Sequence, residues 1–207
     1  MRIGPFEKHC EKYEKWFERH RYAYLSELEA VKHLIPEGEG IEIGVGSGRF
    51  AEPLGIKLGV EPSSRMADIA RKRGIEVVEG IAEDLPFDNE SFDFVLMVTT
   101  ICFLDDVEKA FKEAHRVLKH GGSIIIGFID KESPLGMEYL KHKEENVFYR
   151  EATFYSLNEV ISFLKGFRVA SALQTIFKPL NKIDSVEPVV EGYGEGSFIA
   201  IKAVKEG

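Results

Sequence analysis

The 207-residue chain contains one glutamine, Gln174, one tryptophan, Trp16, and two cysteines, Cys10 and Cys102. Two cysteines so far apart make no disulfide framework, and no His/Cys spacing of the kind that holds zinc occurs, so no metal is expected. No apolar run approaches the roughly 18 residues that a bilayer span requires. The opening Met1-Arg2-Ile3-Gly4-Pro5 turns charged at once and carries no signal-peptide core, which makes the cytoplasm the expected location. A long block of lysine and arginine is also missing. With a net charge of −8 and a pI of about 5.4, the chain lacks a basic face for phosphate, so neither nucleic acid nor membrane is the expected partner. Scarce glutamine beside plentiful Glu and Lys is a composition typical of heat-adapted proteins.

What is present is a change of period along the chain. Phe6, Cys10, Tyr13 and Phe17 form one helical stripe, and Leu25, Leu28, Val31 and Ile35 a second, stopped by Pro36-Glu37-Gly38. From residue 40 strand and helix alternate, with strands over 41–43, 56–60, 75–79, 92–98 and 123–129. Ser63 or Ser64 caps a helix that Gly74 ends, and Asp105 with Glu108 caps another that runs to Leu118 before His120-Gly121-Gly122. Residues 133–155 read as a helix and an aromatic-rich loop. Ser156 and Glu159 then open a helix to Lys165, followed by a strand to Gln174, a loop over 178–196 and a last strand over 197–204. Seven strands alternating with helices predict a doubly wound α/β fold whose ligand lies beyond the carboxyl ends of the strands, at the topological switch point.

The residues at those ends carry the chemistry. Glu42-Ile43-Gly44-Val45-Gly46-Ser47-Gly48 follows the first strand, with glycines that let the backbone turn sharply and approach a ligand closely. Read from Gly46, the run Gly46-x-Gly48-x-x-Ala51 is an allowed variant of the dinucleotide fingerprint, although Arg49 spoils the reading from Gly44. Glu61, at the end of the second strand in Gly59-Val60-Glu61-Pro62, is placed to accept both hydroxyls of a ribose. Loop and acid together point to a nucleoside ligand.

Five ordered blocks, EIGVGSGRF, GVEPS, AEDLPF, SFDFV and RVLKHGG, resemble the class I S-adenosylmethionine-dependent methyltransferases, and within them the ubiquinone/menaquinone C-methyltransferase-like, small-molecule subgroup. The resemblance is strongest over residues 40–130. It implies a mostly parallel, Rossmann-like sheet with an antiparallel last strand, S-adenosylmethionine as cofactor, and methyl transfer to a small-molecule acceptor. Gly44, Gly46 and Gly48 would pack against the methionine part, Glu42 would orient its amino group, and Glu61 would hold the ribose. Pro62, Met66, Ala82 and Glu83 would lie near the adenine, and Thr99 and Thr100 would face the sulfonium and the acceptor. Two positions depart from the family pattern. Ile81 stands where an Asp or Asn usually binds the adenine amino group, so that contact is lost or moves to Glu83, and His120 replaces a proline before the double glycine.

The expected layout is one domain, with N-terminal helices over 1–37 as a lid, a cofactor-binding core over 38–130, a substrate-side insertion over 131–155 and sheet completion over 156–207. Tyr13, Trp16, Phe17, Thr100, Cys102, Phe103, Phe148, Tyr149 and Arg150 are the expected acceptor-pocket residues. Displacement at an activated methyl needs alignment more than acid–base help, so base candidates are few: Tyr149, His9 and His20. Two other readings share the fold. A nicotinamide-dependent oxidoreductase has Arg49, the short loop-to-acid spacing and the lack of a substrate domain against it. A cofactor-binding regulatory protein without turnover has Ile81 in its favour and the intact glycine set against it.

Overall fold

A computed structural model describes residues 2–206. Two helices, α1 (Gly4–Arg19) and α2 (Arg21–Lys32), precede the sheet. Then follow β1 (Gly40–Ile43), α3 (Ala51–Leu54), β2 (Leu58–Val60), α4 (Ser64–Lys72), β3 (Glu76–Val78), β4 (Phe92–Val98), α5 (Val107–Val117) and β5 (Leu118–Ile129). The chain closes with α6 (Pro134–Lys141), α7 (Leu157–Phe163), β6 (Phe167–Thr175), β7 (Val190–Glu191) and β8 (Phe198–Lys205). Sheet order is β3-β2-β1-β4-β5-β8-β6-β7. The first five strands are mutually parallel, and β8 runs antiparallel between β5 and β6. The sheet therefore has eight strands rather than seven. The extra strand is the two-residue β7, paired antiparallel to β6, inside a stretch whose prolines and glycines predict only loop.

Local chemistry explains most boundaries. Ser63 caps α4 by accepting from the Met66 amide, and Ser156 with Glu159 forms a complete capping box on α7. The cap of α5 is Asp106, one residue later than expected, its Oδ1 accepting from the Lys109 amide at 2.9 Å. No loop separates α5 from β5. Leu118 goes straight into the strand, and Gly121, with φ of 71°, absorbs the irregularity inside it.

The second helix is rotated from its expected face. Its buried positions are Ala23, Ser26, Glu27, Ala30 and Val31, while Leu25, Leu28 and Ile35 are only half-buried. Small residues let α2 approach β5, β6 and β8 closely, and the leucines flank that contact line. This rotation places an acid, Glu27, in the interior.

Candidate active site

The strand order reverses direction between β1 and β4, so a crevice opens where the loop after β1 meets the loop after β4. Gly44, Gly46 and Gly48 all have positive φ, at 71°, 54° and 83°. At Gly44 the need is doubled, because a Cβ there would lie 2.4 Å from Thr100 Cγ2. The Val60 carbonyl accepts from the amides of Gly44 and Val45, fixing the loop against β2.

Glu61 is buried and braces the same loop. Its Oε2 accepts from the Gly46 amide at 2.9 Å and its Oε1 from the Ser63 amide at 2.9 Å. A carboxylate has about four acceptor sites, so each oxygen keeps a lone pair for a ligand hydroxyl. Burial pushes the Glu61 carboxyl up to about 7, against the pull of the two amides. Glu42, buried on β1, is also held well above the ordinary carboxylate range by burial, and its Oε2 has no hydrogen-bond partner among the described residues. Over this group lies α1. The Tyr13 hydroxyl would touch a Cβ at Gly46 at 3.6 Å, and burial raises its pKa, with Glu42, Glu14 and Glu61 adding to the rise.

Two cavities meet here. The smaller, of about 50 Å³, is lined by Gly44, Gly46, Glu61, Met66, Thr99 and Thr100, and roofed by Arg2, Ile3, Phe6, Tyr13 and Phe103. The larger, of about 800 Å³, is bounded by α1, by α2 and by the aromatic segment after β5. Thr99, Phe6, Tyr13 and Phe103 border both. Thr99 sits at the junction with φ of 52°, its amide donating to the Gly127 carbonyl at 2.7 Å. A β-branched residue in the left-handed region carries about 1–3 kcal/mol of strain, which the surrounding structure must hold.

Most of the residues singled out in the sequence converge on these cavities. Tyr13, Trp16, Phe17, Cys102, Phe103, Phe148 and Tyr149 line the large one, as do His9 and His20. Arg150 does not; it is exposed on the short 3-10 turn at 149–151 and borders neither cavity. Thr100 belongs to the small cavity. Pro62 is half-buried and Ala82 buried, both away from either lining. The Glu83 carboxylate faces the loop before α5, where Oε1 accepts from Asp105 at 2.9 Å and Asp106 at 3.4 Å, while Ile81 stays 38% exposed. Tyr149 is poorly suited to be a base. Burial raises its hydroxyl pKa, Glu27 and Cys102 add to this, and Tyr139 is its hydrogen-bond partner. His20 is shifted down, first by burial and then by Arg19, and its ring lies 5.2 Å from that of Trp16. Phe6, Glu27, Tyr139, Phe154 and Tyr155 also line the cavity without having been singled out. The aromatic density of 148–155 was the available signal for the last two, and nothing in the local pattern marks Glu27.

Comparison with known proteins accounts for the geometry. Residues 41–126 match the "Methyltransferase domain" family. An uncharacterized protein of Methanocaldococcus jannaschii is 53% identical over 98% of this chain and 100% of its own length. A crystal structure from Thermotoga maritima, of a protein described as an S-adenosylmethionine-dependent methyltransferase and possible histamine N-methyltransferase, superposes with a TM-score of 0.97 at 57% identity. That match covers 99% of this chain and 100% of the other. The chain belongs to the S-adenosylmethionine-dependent methyltransferases. The ubiquinone/menaquinone biosynthesis C-methyltransferase of Rhizobium meliloti is 42% identical over 43% of this methyltransferase and 36% of its own length, so that likeness spans less than half of either chain. The nicotinamide reading of Gly46-x-Gly48-x-x-Ala51 is set aside.

The site fits the cofactor on its own terms. The glycine loop presents backbone where any Cβ at Gly44 would clash, Glu61 retains acceptor capacity for two hydroxyls, and Glu42 Oε2 is buried without a partner among the described residues.

Proposed function

We propose that this enzyme transfers the methyl group of S-adenosylmethionine to a small molecule held in the 800 Å³ cavity. The observation that carries the reading is the meeting of the two cavities at Thr99, where the glycine-loop pocket opens onto an aromatic chamber. A chamber of this volume lies within the range of small-ligand sites, roughly 300–1,000 Å³. The description of the Thermotoga neighbour points to an acceptor of modest size. A net charge of −8 speaks against a phosphate backbone as acceptor and suits a cytoplasmic enzyme. Among the described residues, no helix is long and apolar enough to cross a membrane.

In this reading Glu61 holds the ribose hydroxyls, Glu42 the amino group, and Gly44, Gly46 and Gly48 let the methionine part lie against bare backbone. Met66 flanks the adenine, with Pro62 and the backbone of Ala82 and Glu83 beyond the present lining at its far edge, the Glu83 carboxylate itself being held by the loop before α5. The cofactor supplies a methyl group already activated on a sulfonium. Thr99 and Thr100 set the distance between the two cavities, and the aromatic walls exclude water and orient the acceptor's lone pair.

The first helix acts as the lid. A space of about 50 Å³ cannot take a nucleoside, which needs a pocket of roughly 300 Å³ or more. Arg2 latches the start of the chain in the closed position. Its amide donates to the Phe103 carbonyl at 2.9 Å, and its guanidinium donates to Thr153 Oγ1 at 2.9 Å and to the Glu151 carbonyl. Along α1 itself, Glu7 is held by Arg65, and Glu14 is paired with Arg49 and Arg73, so these contacts must loosen for the helix to move. Cofactor entry therefore displaces α1. Trp16 is the only tryptophan and lines the large cavity, so its emission reports this directly. S-adenosylmethionine binding should shift Trp16 emission to longer wavelength as the ring meets water. Binding seen by calorimetry with unchanged emission would show that α1 stays in place and is no lid.

A further inference from the structure

We propose that Glu27, together with the Tyr139 and Tyr149 hydroxyls, is the anchor that selects an acceptor bearing a protonated amine, the methyl group going to a lone pair elsewhere on that molecule. The inference rests on the large cavity being the acceptor site. Five glutamates are buried among the described residues: Glu27, Glu42, Glu61, Glu83 and Glu187. Four of them hold backbone. Glu61 takes the Gly46 and Ser63 amides, Glu83 those of Asp105 and Asp106, Glu187 those of Phe177 and Lys178, and Glu42 that of Ala51. Glu27 takes none. Among the described residues no hydrogen bond or ion pair reaches its carboxyl group, although it is only 4% exposed and lines the cavity wall. A buried acid without a partner is a burden on the fold, because the charged form loses its water with nothing in return. Burial alone pushes it up to about 8. It has no structural task that would offset that burden, and it stands at the one place where a ligand can reach it.

The surroundings specify the ligand's charge. The Tyr139 and Tyr149 rings lie 4.3 Å apart, centroid to centroid, and Phe154 is 5.6 Å from Tyr149. The two tyrosine hydroxyls are hydrogen-bond partners, and both feel the charge of Glu27. Aromatic faces beside a carboxylate are what a desolvated ammonium requires, through cation–π attraction and charge-assisted hydrogen bonding. Above about pH 8, where Glu27 is ionised, an anionic acceptor would meet its repulsion and a neutral one would leave its charge unpaired. The other charged groups lining the cavity are Lys8, His9, Glu11, Lys12, Lys15 and Arg19 on α1, His20 at its end and Arg65 on α4, and among the described residues none of them forms a hydrogen bond or ion pair with Glu27.

Three matched probes test this at pH 8.5, where Glu27 is ionised: 2-phenylethylamine, 2-phenylethanol and 3-phenylpropanoate, titrated calorimetrically into the full-length protein and its Glu27→Gln variant. S-adenosylmethionine is titrated separately into both. The wild type should bind the amine about 10-fold or more tighter than the alcohol, the worth of a charge-assisted contact, and the carboxylate most weakly. Glu27→Gln should bring amine and alcohol to within about 3-fold while leaving S-adenosylmethionine binding intact, which also shows that the variant is folded. Equal affinity for amine and alcohol in the wild type, no binding of the amine at millimolar concentration, or a preference that survives in Glu27→Gln overturns the anchor. Failure of S-adenosylmethionine to bind the wild type overturns the methyl-transfer reading instead.

Discussion

Glu61→Ala should weaken S-adenosylmethionine binding by about 1.5–3 kcal/mol, roughly 10- to 150-fold, measured by calorimetry at pH 8. Two charge-assisted hydrogen bonds to the ribose are lost, and so is the brace that Glu61 gives to Gly46 and Ser63. The pH dependence separates these effects. Only the ionised carboxylate accepts both hydroxyls, and its pKa in the free enzyme is about 7. Affinity should therefore rise by up to about 10-fold per pH unit as pH approaches 7 from below, and level off above it. Glu61→Gln removes this titration. The ratio of wild-type to Glu61→Gln affinity cancels the cofactor's own ionisation, so it should climb between pH 5.5 and 7 and then flatten. A ratio that does not change with pH would mean that Glu61 holds the loop and not the ligand.

Glu27→Gln should stabilise the fold, and more so as pH rises. The Glu27 pKa is about 8 in the folded protein against an ordinary value of 4.5. At pH values below 4.5 both states carry the proton and the group contributes nothing. Between 4.5 and 8 the unfolded chain releases the proton more readily, so the folded state is penalised progressively, and above 8 the penalty is constant. At pH 7 linkage puts it at about 3 kcal/mol. Glutamine carries no charge to desolvate. Urea unfolding at pH 5 and pH 8 should show variant and wild type nearly equal at the lower value and separated by about 3 kcal/mol or more at the higher. Glu61 is shifted in the same direction, but it is present in both proteins and drops out of the difference. Parallel pH profiles would show that Glu27 has a partner in solution. An activity-linked residue whose removal stabilises the protein fits the general trade between binding function and stability.

What the sequence revealed followed from strong local patterns. The apolar run from Phe92 to Val98 became β4 with those same limits, because a strand covered on both faces needs no alternation. Ser63 and Ser156 announced their helices by the chemistry of the cap. The glycines at 44, 46 and 48 adopt the positive φ that makes them necessary. What was hidden depended on contacts between distant segments. The phase of α2 was misread because large side chains dominate a periodicity count, while close packing on the sheet chose Ala23, Ala30 and the face that carries Glu27. Arg150 looked like a pocket residue beside Phe148 and Tyr149, yet on the turn at 149–151 it is exposed and borders neither cavity. The loop before α5, whose Asp105 and Asp106 amides both donate to Glu83, is likewise held by a residue some 22 positions away in the chain.

Thr99 carries this reasoning into the history of the chain. Glycine or asparagine would occupy its left-handed backbone at lower cost. A population selected in the laboratory for heat resistance alone should drift toward those residues at position 99, and one selected for turnover should keep threonine. The strain is then a record of what selection has valued at this point, namely a side chain at the doorway between the two chambers in preference to a more relaxed fold.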